Sequence, residues 1–163
     1  MANSPHITEL ASEIIDALRQ RNETLSTAES LTAGALSSAI VRVAGASDVF
    51  LGGITAYSDE VKISHLFVDR QLIAKHTSIS QEAAIAMAQG AMRSFGTTWA
   101  IATTGVAVPN PVGSHPVGTV WVAIEGPVSE CIELSLSGER ETIRNAVTAS
   151  AIATFARILR HRS

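Results

Sequence analysis

The apolar positions of this chain repeat in two rhythms, and each predicts a different element. From Ile7 onward, Leu10, Ala11, Ile14, Ile15 and Leu18 recur three and four residues apart, which places them on one stripe of a helix. Ser4 and Pro5 suit its start, Ser4 as an acceptor for an orphan amide and Pro5 through its fixed φ. The stripe stops before Asn22. The same spacing in Ile143, Ala146, Val147, Ser150, Ala151, Thr154, Phe155, Ile158 and Leu159 predicts a long final helix. Leu31 to Val43 reads as a helix ended by Gly45. A short helix is expected from Ser58 to about Phe67. Another, capped by Ser80, runs to Arg93 and stops at Gly96.

The second rhythm is that of strands. Leu25 to Ala28 reads as a short one. Val49 to Tyr57 reads as another, with Gly52 and Gly53 marking a bulge. Thr98 to Ala102 is almost wholly apolar, as a central strand is. Thr103 to Pro116 reads as loop. Val117 to Ile124 and Cys131 to Leu136 form a hairpin around Gly126 and Pro127. In its second arm Ile132, Leu134 and Leu136 alternate with Glu133 and Ser135, so one face is wet. Helices alternate with strands first, and a hairpin follows. The expected class is α/β: a three-layer α/β/α sandwich with a mixed, mainly parallel sheet, closed by a hairpin and a long helix. The 163 residues suit one domain spanning 1–163, with no repeat or linker.

Composition and charge remove several function classes. Hydrophobic residues at 46% and charged residues at 17% allow a sizeable core. A net charge of -3, without a basic stripe, argues against nucleic acid as a partner. The cluster Arg157, Arg160, His161 and Arg162 reads as a solvated helix end that suits the dipole. No segment approaches the roughly 20 apolar residues that span a bilayer. Cys131 is the single cysteine, which fits a reducing compartment. Met1 to Glu9 shows no basic then apolar leader, so a cytoplasmic location is expected. The chain has no G-x-x-x-x-G-K-S/T and no G-x-G-x-x-G. Its histidines (His6, His65, His76, His115 and His161) make no close ligand pair, so neither metal nor cofactor is expected.

Ligands of α/β sheets gather at the carboxyl ends of strands. Three segments leave expected strands with small and polar residues: Thr27 to Gly34, Tyr57 to Lys62, and Thr103 to Ala107. Ser30 sits where strand becomes helix, as an N-cap or as a nucleophile beside amides that would hold an oxyanion. Lys62 is a solvated charge or a general base, and the second role requires burial or a nearby cation to lower its pKa. Tyr57, the single tyrosine, packs in the core or relays a proton. Arg140 opposes the dipole at the start of the last helix, so it is either offset by Glu139 and Glu141 or placed to bind an anion, with Arg144 one turn on. Thr104 and Gly105 contact a ligand or merely connect elements.

Together these segments resemble the CinA C-terminal family, whose active members are nicotinamide mononucleotide deamidases. Thr27-Ala28-Glu29-Ser30 resembles the family's T-A-E-S. Thr55 through Lys62 is similar to its T-Y-S-N-x-x-K. Gly105-Val106-Ala107 and Pro116-Val117-Gly118-Thr119-Val120 resemble its G-I/V-A-G-P-D and P-V-G-T-V pieces. Ser137-Gly138-Glu139-Arg140 is similar to its G-D-R helix start. The pieces run in family order over nearly the whole chain.

The resemblance implies a metal-independent serine–lysine amidase that yields nicotinic acid mononucleotide and ammonia. Ser30 would be the nucleophile, Lys62 the base and Tyr57 its assistant. Glu29, Thr32, Gly34, Thr104, Gly105, Ala107, Asn110 and Thr119 would surround the nucleotide substrate, and Arg140 would meet its phosphate. Four positions depart from the pattern. Leu31 stands for a cysteine, Ala33 and Val108 for glycines, and Asn110 for an aspartate. Ala33 adds a methyl on the expected ligand side, and β-branched Val108 disfavours a positive φ. These departures keep open a catalytically impaired member that binds a nucleotide or protein, and an amidase for another small amide. A homodimer or higher homo-oligomer is expected from the apolar fraction and from family habit.

Overall fold

The computed structural model describes residues 5 to 162, so the capping expected of Ser4 lies outside the described residues. The elements follow as α1 (Pro5–Arg21), β1 (Leu25–Glu29), α2 (Ala35–Val41), β2 (Phe50–Thr55), α3 (Asp59–Leu66), α4 (Arg70–His76), α5 (Gln81–Phe95), β3 (Trp99–Gly105), β4 (Thr119–Glu125), β5 (Glu130–Ser135) and α6 (Arg140–Arg160). The five strands make one sheet in the order β2-β1-β3-β4-β5. β1 pairs in parallel with β2 and β3, while β3–β4 and β4–β5 are antiparallel. Only β4 therefore runs against the other strands, and the mixed α/β sandwich read from the sequence is the fold observed.

Two apolar clusters lie on opposite faces of this sheet. One is built by α1, α2 and α6 through Ile14, Leu18, Leu36, Ile40, Val147, Ile152 and Phe155. The other is small-residue and alanine-rich, with Leu66, Met87, Ala88, Ala91, Ala100 and Ala102 between the sheet and α3 and α5. Each fully buried Leu, Ile, Val or Phe is worth about 1.5–3 kcal/mol, so the first face supplies most of the apolar stabilisation. The small residues of the second let helices approach closely. Gly90 of α5 shows how closely: a Cβ there would lie 1.8 Å from the Leu66 carbonyl oxygen. Its absence seats α3, the helix that carries Lys62, directly against α5.

Several boundaries differ from the sequence reading for identifiable reasons. The helix expected from Leu31 begins only at Ala35, because Ala33 (φ 48°) and Gly34 (φ 97°) are left-handed and turn the chain first. The sequence pattern predicts no element at α4, which Asp69 caps by accepting the Gln71 amide. β3 runs on to Gly105, past the expected end at Ala102. The glycine-marked bulge is present, since the β1–β2 register skips Leu51 between Phe50 and Gly52. In β5 Glu133 and Ser135 are exposed, as alternation requires. The C-terminal basic cluster is paired within the fold: Arg157 with Glu130, Arg160 with Glu13 and Arg162 with Glu23. No described helix is long and apolar enough to cross a membrane.

Candidate active site

β1 is buried along its whole length, and it delivers Ser30 to the carboxyl edge of the sheet. The Ser30 amide donates to the Thr103 carbonyl of β3 (2.9 Å), so the first residue beyond the strand is still tied to it. Ser30 is not a helix cap. The Glu29 carboxylate takes that task, accepting the amides of Leu36 (2.8 Å) and Ser37 (3.1 Å) and the Ser37 hydroxyl (2.7 Å). With a carboxylate on the dipole of α2, the Ser30 hydroxyl is left to other partners.

Its partner is Lys62. The Lys62 ammonium or amine Nζ lies 3.1 Å from Ser30 Oγ and donates to the Tyr57 carbonyl at 3.2 Å. Lys62 is only 2% exposed, although it is a lysine on an eight-residue helix. Ser58 caps that helix by accepting the Val61 amide, which fixes the turn that aims Lys62 inward. Burial lowers the pKa of Lys62 below the ordinary amine value, and the Asp59 carboxylate, 4.0 Å away, opposes that shift. The cost of burying an ammonium thus favours the neutral amine that a base needs.

A cleft of about 200 Å³ opens over this pair. It is lined by Ser30, Leu31, Tyr57, Lys62, Ser78, Ile79, Thr104, Gly105, Val106, Ala107, Val108, Val112 and Arg140. Arg140 is the first residue of α6, and its Nη2 donates to the Tyr57 hydroxyl at 3.1 Å. Neither glutamate beside it pairs with it; among the described residues Arg140 makes no ion pair, and Glu141 bonds Arg144 instead. The Tyr57 side chain is 56% exposed at the rim. Its contact with the base runs through its main-chain oxygen, not its phenol, and it does not pack in the core.

Thus Ser30, Tyr57, Lys62, Thr104, Gly105, Ala107 and Arg140 come together as the sequence reading grouped them. Five residues expected around a substrate do not line the cleft. Glu29 is buried with both oxygens bonded to the start of α2. The Thr32 hydroxyl is bonded to that of Thr103 at 2.8 Å, beneath the site. Gly34 serves as the left-handed turn before α2. Asn110 is exposed beyond the lining. Thr119 borders a neighbouring groove with Ile79, Ser80 and His115. Ala33 is exposed, so its methyl does not crowd the cleft. Val108 takes no positive φ, so its β-branch meets no left-handed strain.

The sequence reading missed Ser78 and Ile79, which reach the cleft from the segment after α4. The Ser78 carbonyl accepts the Thr104 hydroxyl at 2.6 Å. The Asp69 cap, followed by apolar Leu72 and Ile73, was the available signal for α4. Arg144 was expected to help Arg140 with an anion. It instead donates to the carbonyls of Leu31 (2.8 Å) and Thr32 (3.0 Å), behind Ser30.

Comparison with known proteins bears on the family and the fold. The family described as the CinA C-terminal domain matches residues 7–159. A CinA-like protein of Frankia casuarinae is 41% identical over 90% of this chain and 34% of its own length. One from Synechococcus is 45% identical over 72% of the chain and 28% of its own length. The chain thus spans about a third of these curated relatives. Among solved structures, the competence damage-inducible protein A of Klebsiella pneumoniae superposes with a TM-score of 0.92 at 31% identity, covering 96% of this chain and 99% of that one. The competence/damage inducible protein CihA of Agrobacterium tumefaciens gives 0.91 at 29% identity, over 97% and 98%. Family match and fold agree along the described chain, which belongs to the CinA C-terminal domain family.

Proposed function

We propose that the chain is an amidohydrolase that converts nicotinamide mononucleotide to nicotinic acid mononucleotide and ammonia. The observation that carries this reading is the 3.1 Å contact between Ser30 Oγ and a buried Lys62 Nζ at the floor of a cleft whose rim holds Arg140. Neutral Lys62 takes the proton of Ser30 as its oxygen adds to the carboxamide carbon. The oxyanion that forms needs donors, and the Leu31 and Thr32 amides that follow Ser30 have no partner among the described residues. Lys62 returns the proton to the departing nitrogen, the C–N bond breaks and ammonia leaves an ester on Ser30. Water then adds to that ester with Lys62 again as base. The proton passes to Ser30 Oγ as the C–O bond breaks, and the acid is released.

Arg140, which lines the same cleft as Ser30, supplies a guanidinium for the phosphate. The apolar lining of Leu31, Ile79, Val106 and Val112 suits a flat aromatic ring. Purified protein mixed with nicotinamide mononucleotide should release ammonia in step with the acid. Well-folded protein that releases none overturns the proposal. Val108, half-buried in the lining, favours a second reading in which a nucleotide binds without turnover. Calorimetric titration combined with the ammonia assay separates the two. A panel of small amides tests the third reading, an altered substrate. The active species is expected to be a homodimer, which light scattering at micromolar concentration checks.

A further inference from the structure

Arg140 and Arg144 lie one turn apart on α6, yet they face different tasks. Arg140 is exposed and lines the cleft. Arg144 is half-buried outside it, where Nε donates to the Leu31 carbonyl (2.8 Å), Nη2 to the Thr32 carbonyl (3.0 Å) and Nη1 to Glu141. The two carbonyls belong to the residues directly after Ser30. A planar guanidinium with a fixed fork holds two successive oxygens in one orientation, which a lysine cannot do.

Holding a carbonyl also aims an amide. In a trans peptide the oxygen and the following N–H point in opposite directions. With the Leu31 oxygen drawn toward Arg144, the Thr32 N–H is turned away from it. The preceding plane is pinned as well, since the Ser30 carbonyl accepts the Ala33 amide at 3.1 Å. Ser30 and Ala33 thus have bonded amides, while those of Leu31 and Thr32 between them have none among the described residues. Two adjacent unpaired donors following a nucleophile are unusual, because backbone amides shut off from water normally find partners.

We propose that Arg144 is a positioning residue that orients the Leu31 and Thr32 amides to receive the oxyanion formed when Ser30 adds to a carbonyl. The inference rests on the proposed role of Ser30 and assigns the source of the oxyanion site. Ala33 holds a left-handed backbone (φ 48°) that costs a non-glycine residue energy, and the Arg144 bonds to the two preceding carbonyls help hold that turn.

The test uses Arg144→Gln, Arg144→Lys and Arg144→Ala in the full chain. Three quantities are read: ammonia release from nicotinamide mononucleotide, the rate at which a fluorophosphonate labels Ser30 (located by mass spectrometry), and the melting temperature. Arg144→Gln should lose about 10²-fold or more in kcat with KM nearly unchanged, as loss of oxyanion donors does. Labelling should slow in parallel. Arg144→Lys should recover little, and added guanidinium should restore part of the rate to Arg144→Ala. The pH at which activity falls should not move, because Lys62 is untouched. A folded Arg144→Gln with kcat within a few-fold of the parent overturns the proposal, as does a rise in KM alone. Unfolding of all three variants makes the role structural and also overturns it. If the parent labels at Ser30 but releases no ammonia, the substrate reading fails while the labelling ratio still decides for or against Arg144. A parent that neither labels nor releases ammonia overturns both.

Discussion

Around Ser30 the chain is held from every side, whereas between Val108 and Pro116 it is held at few points. The Ser30 amide is tied to Thr103, the two carbonyls after it to Arg144, and its hydroxyl to a buried lysine. The loop above has an isolated bridge between Val112 and His115 and a contact of 3.1 Å from His115 Nε2 to the Thr77 hydroxyl. Residues 109 to 114 are exposed. Each region therefore tolerates a different kind of change. Chemistry needs atoms fixed to a few tenths of an ångström, so it is built on strand ends and helix faces. Fit to a ligand tolerates adjustment, so it is left to a loop. Leu31 and Ala33 depart from the family pattern in the fixed region and leave its bonds intact. Val108 and Asn110 depart in the adjustable one.

The contrast breaks most visibly if the fixed region loses its dyad. Ser30→Ala and Lys62→Met are each expected to reduce ammonia release more than about 10³-fold, and the double variant hardly further, since the two groups act as a unit. The fold should survive. Because burial depresses the pKa of Lys62, the unfolded chain holds its proton more tightly than the folded one. Between the lowered folded pKa and the ordinary amine value near 10.4, the unfolded state binds more protons, so stability rises with pH in that window. Lys62→Met removes this dependence. Its melting temperature should match or exceed the parent's at neutral pH, and the advantage should shrink as pH rises toward 10. A melting temperature well below the parent's throughout would show that Lys62 is structural.

Next in size is the rim. Arg140→Gln is expected to weaken kcat/KM for the mononucleotide by about 10–100-fold, mostly through KM, as the loss of a charge-assisted contact does. The same substitution should leave an amide without a phosphate unaffected. Equal losses for both substrates would place Arg140 with the dyad rather than the anion. Asp59→Asn has a smaller effect and a definite sign. The carboxylate 4.0 Å from Nζ supports the charged amine, so its removal frees the base at lower pH. The acid limb of kcat/KM should move to lower pH, with the rate on the plateau unchanged. A limb that stays in place would mean that Lys62 is not the titrating base.

How much of this was legible follows the same divide. The stripe on α1, the wet face of β5 and the bulge at Gly52 are periodic or glycine-marked, and sequence shows such features directly. Ser30, Lys62, Tyr57 and Arg140 stand at strand ends and a helix start, which marks them as candidates, while the family resemblance is what chose their functional roles over the bland ones. Glu29 was misplaced because sequence does not say which of two adjacent polar residues turns inward to cap α2. Gly34 was misplaced because the left-handed turn at Ala33 delays the helix by four residues, and at Thr32 the backbone amide rather than the hydroxyl is left for the site. Arg144 was misread for a related reason: spacing gives a helix face but not the loop that face meets. The segment Thr77 to Ile79 escaped notice because α4 is short and has no fully buried residue to set a rhythm.

The smallest effect belongs to the loop. His115→Ala deletes an exposed hydrogen bond to Thr77, a residue already held by its own contacts with Ile79 and Ser80. Such a bond contributes about 0.5–1 kcal/mol net. That corresponds to about a two- to fivefold change in KM, with kcat and melting temperature near the parent values. The asymmetry is the useful part. Thr77 keeps its left-handed φ of 66° through bonds that do not involve His115, so Ser78 and Ile79 should still face the cleft when the imidazole is gone. Only the span from Val108 to Pro116 is released. Steady-state kinetics that show an unchanged kcat with raised KM confine the loop to binding. A fall in kcat as large as that of Arg140→Gln in kcat/KM would instead show that this loop, for all its exposure, helps fix the reacting atoms.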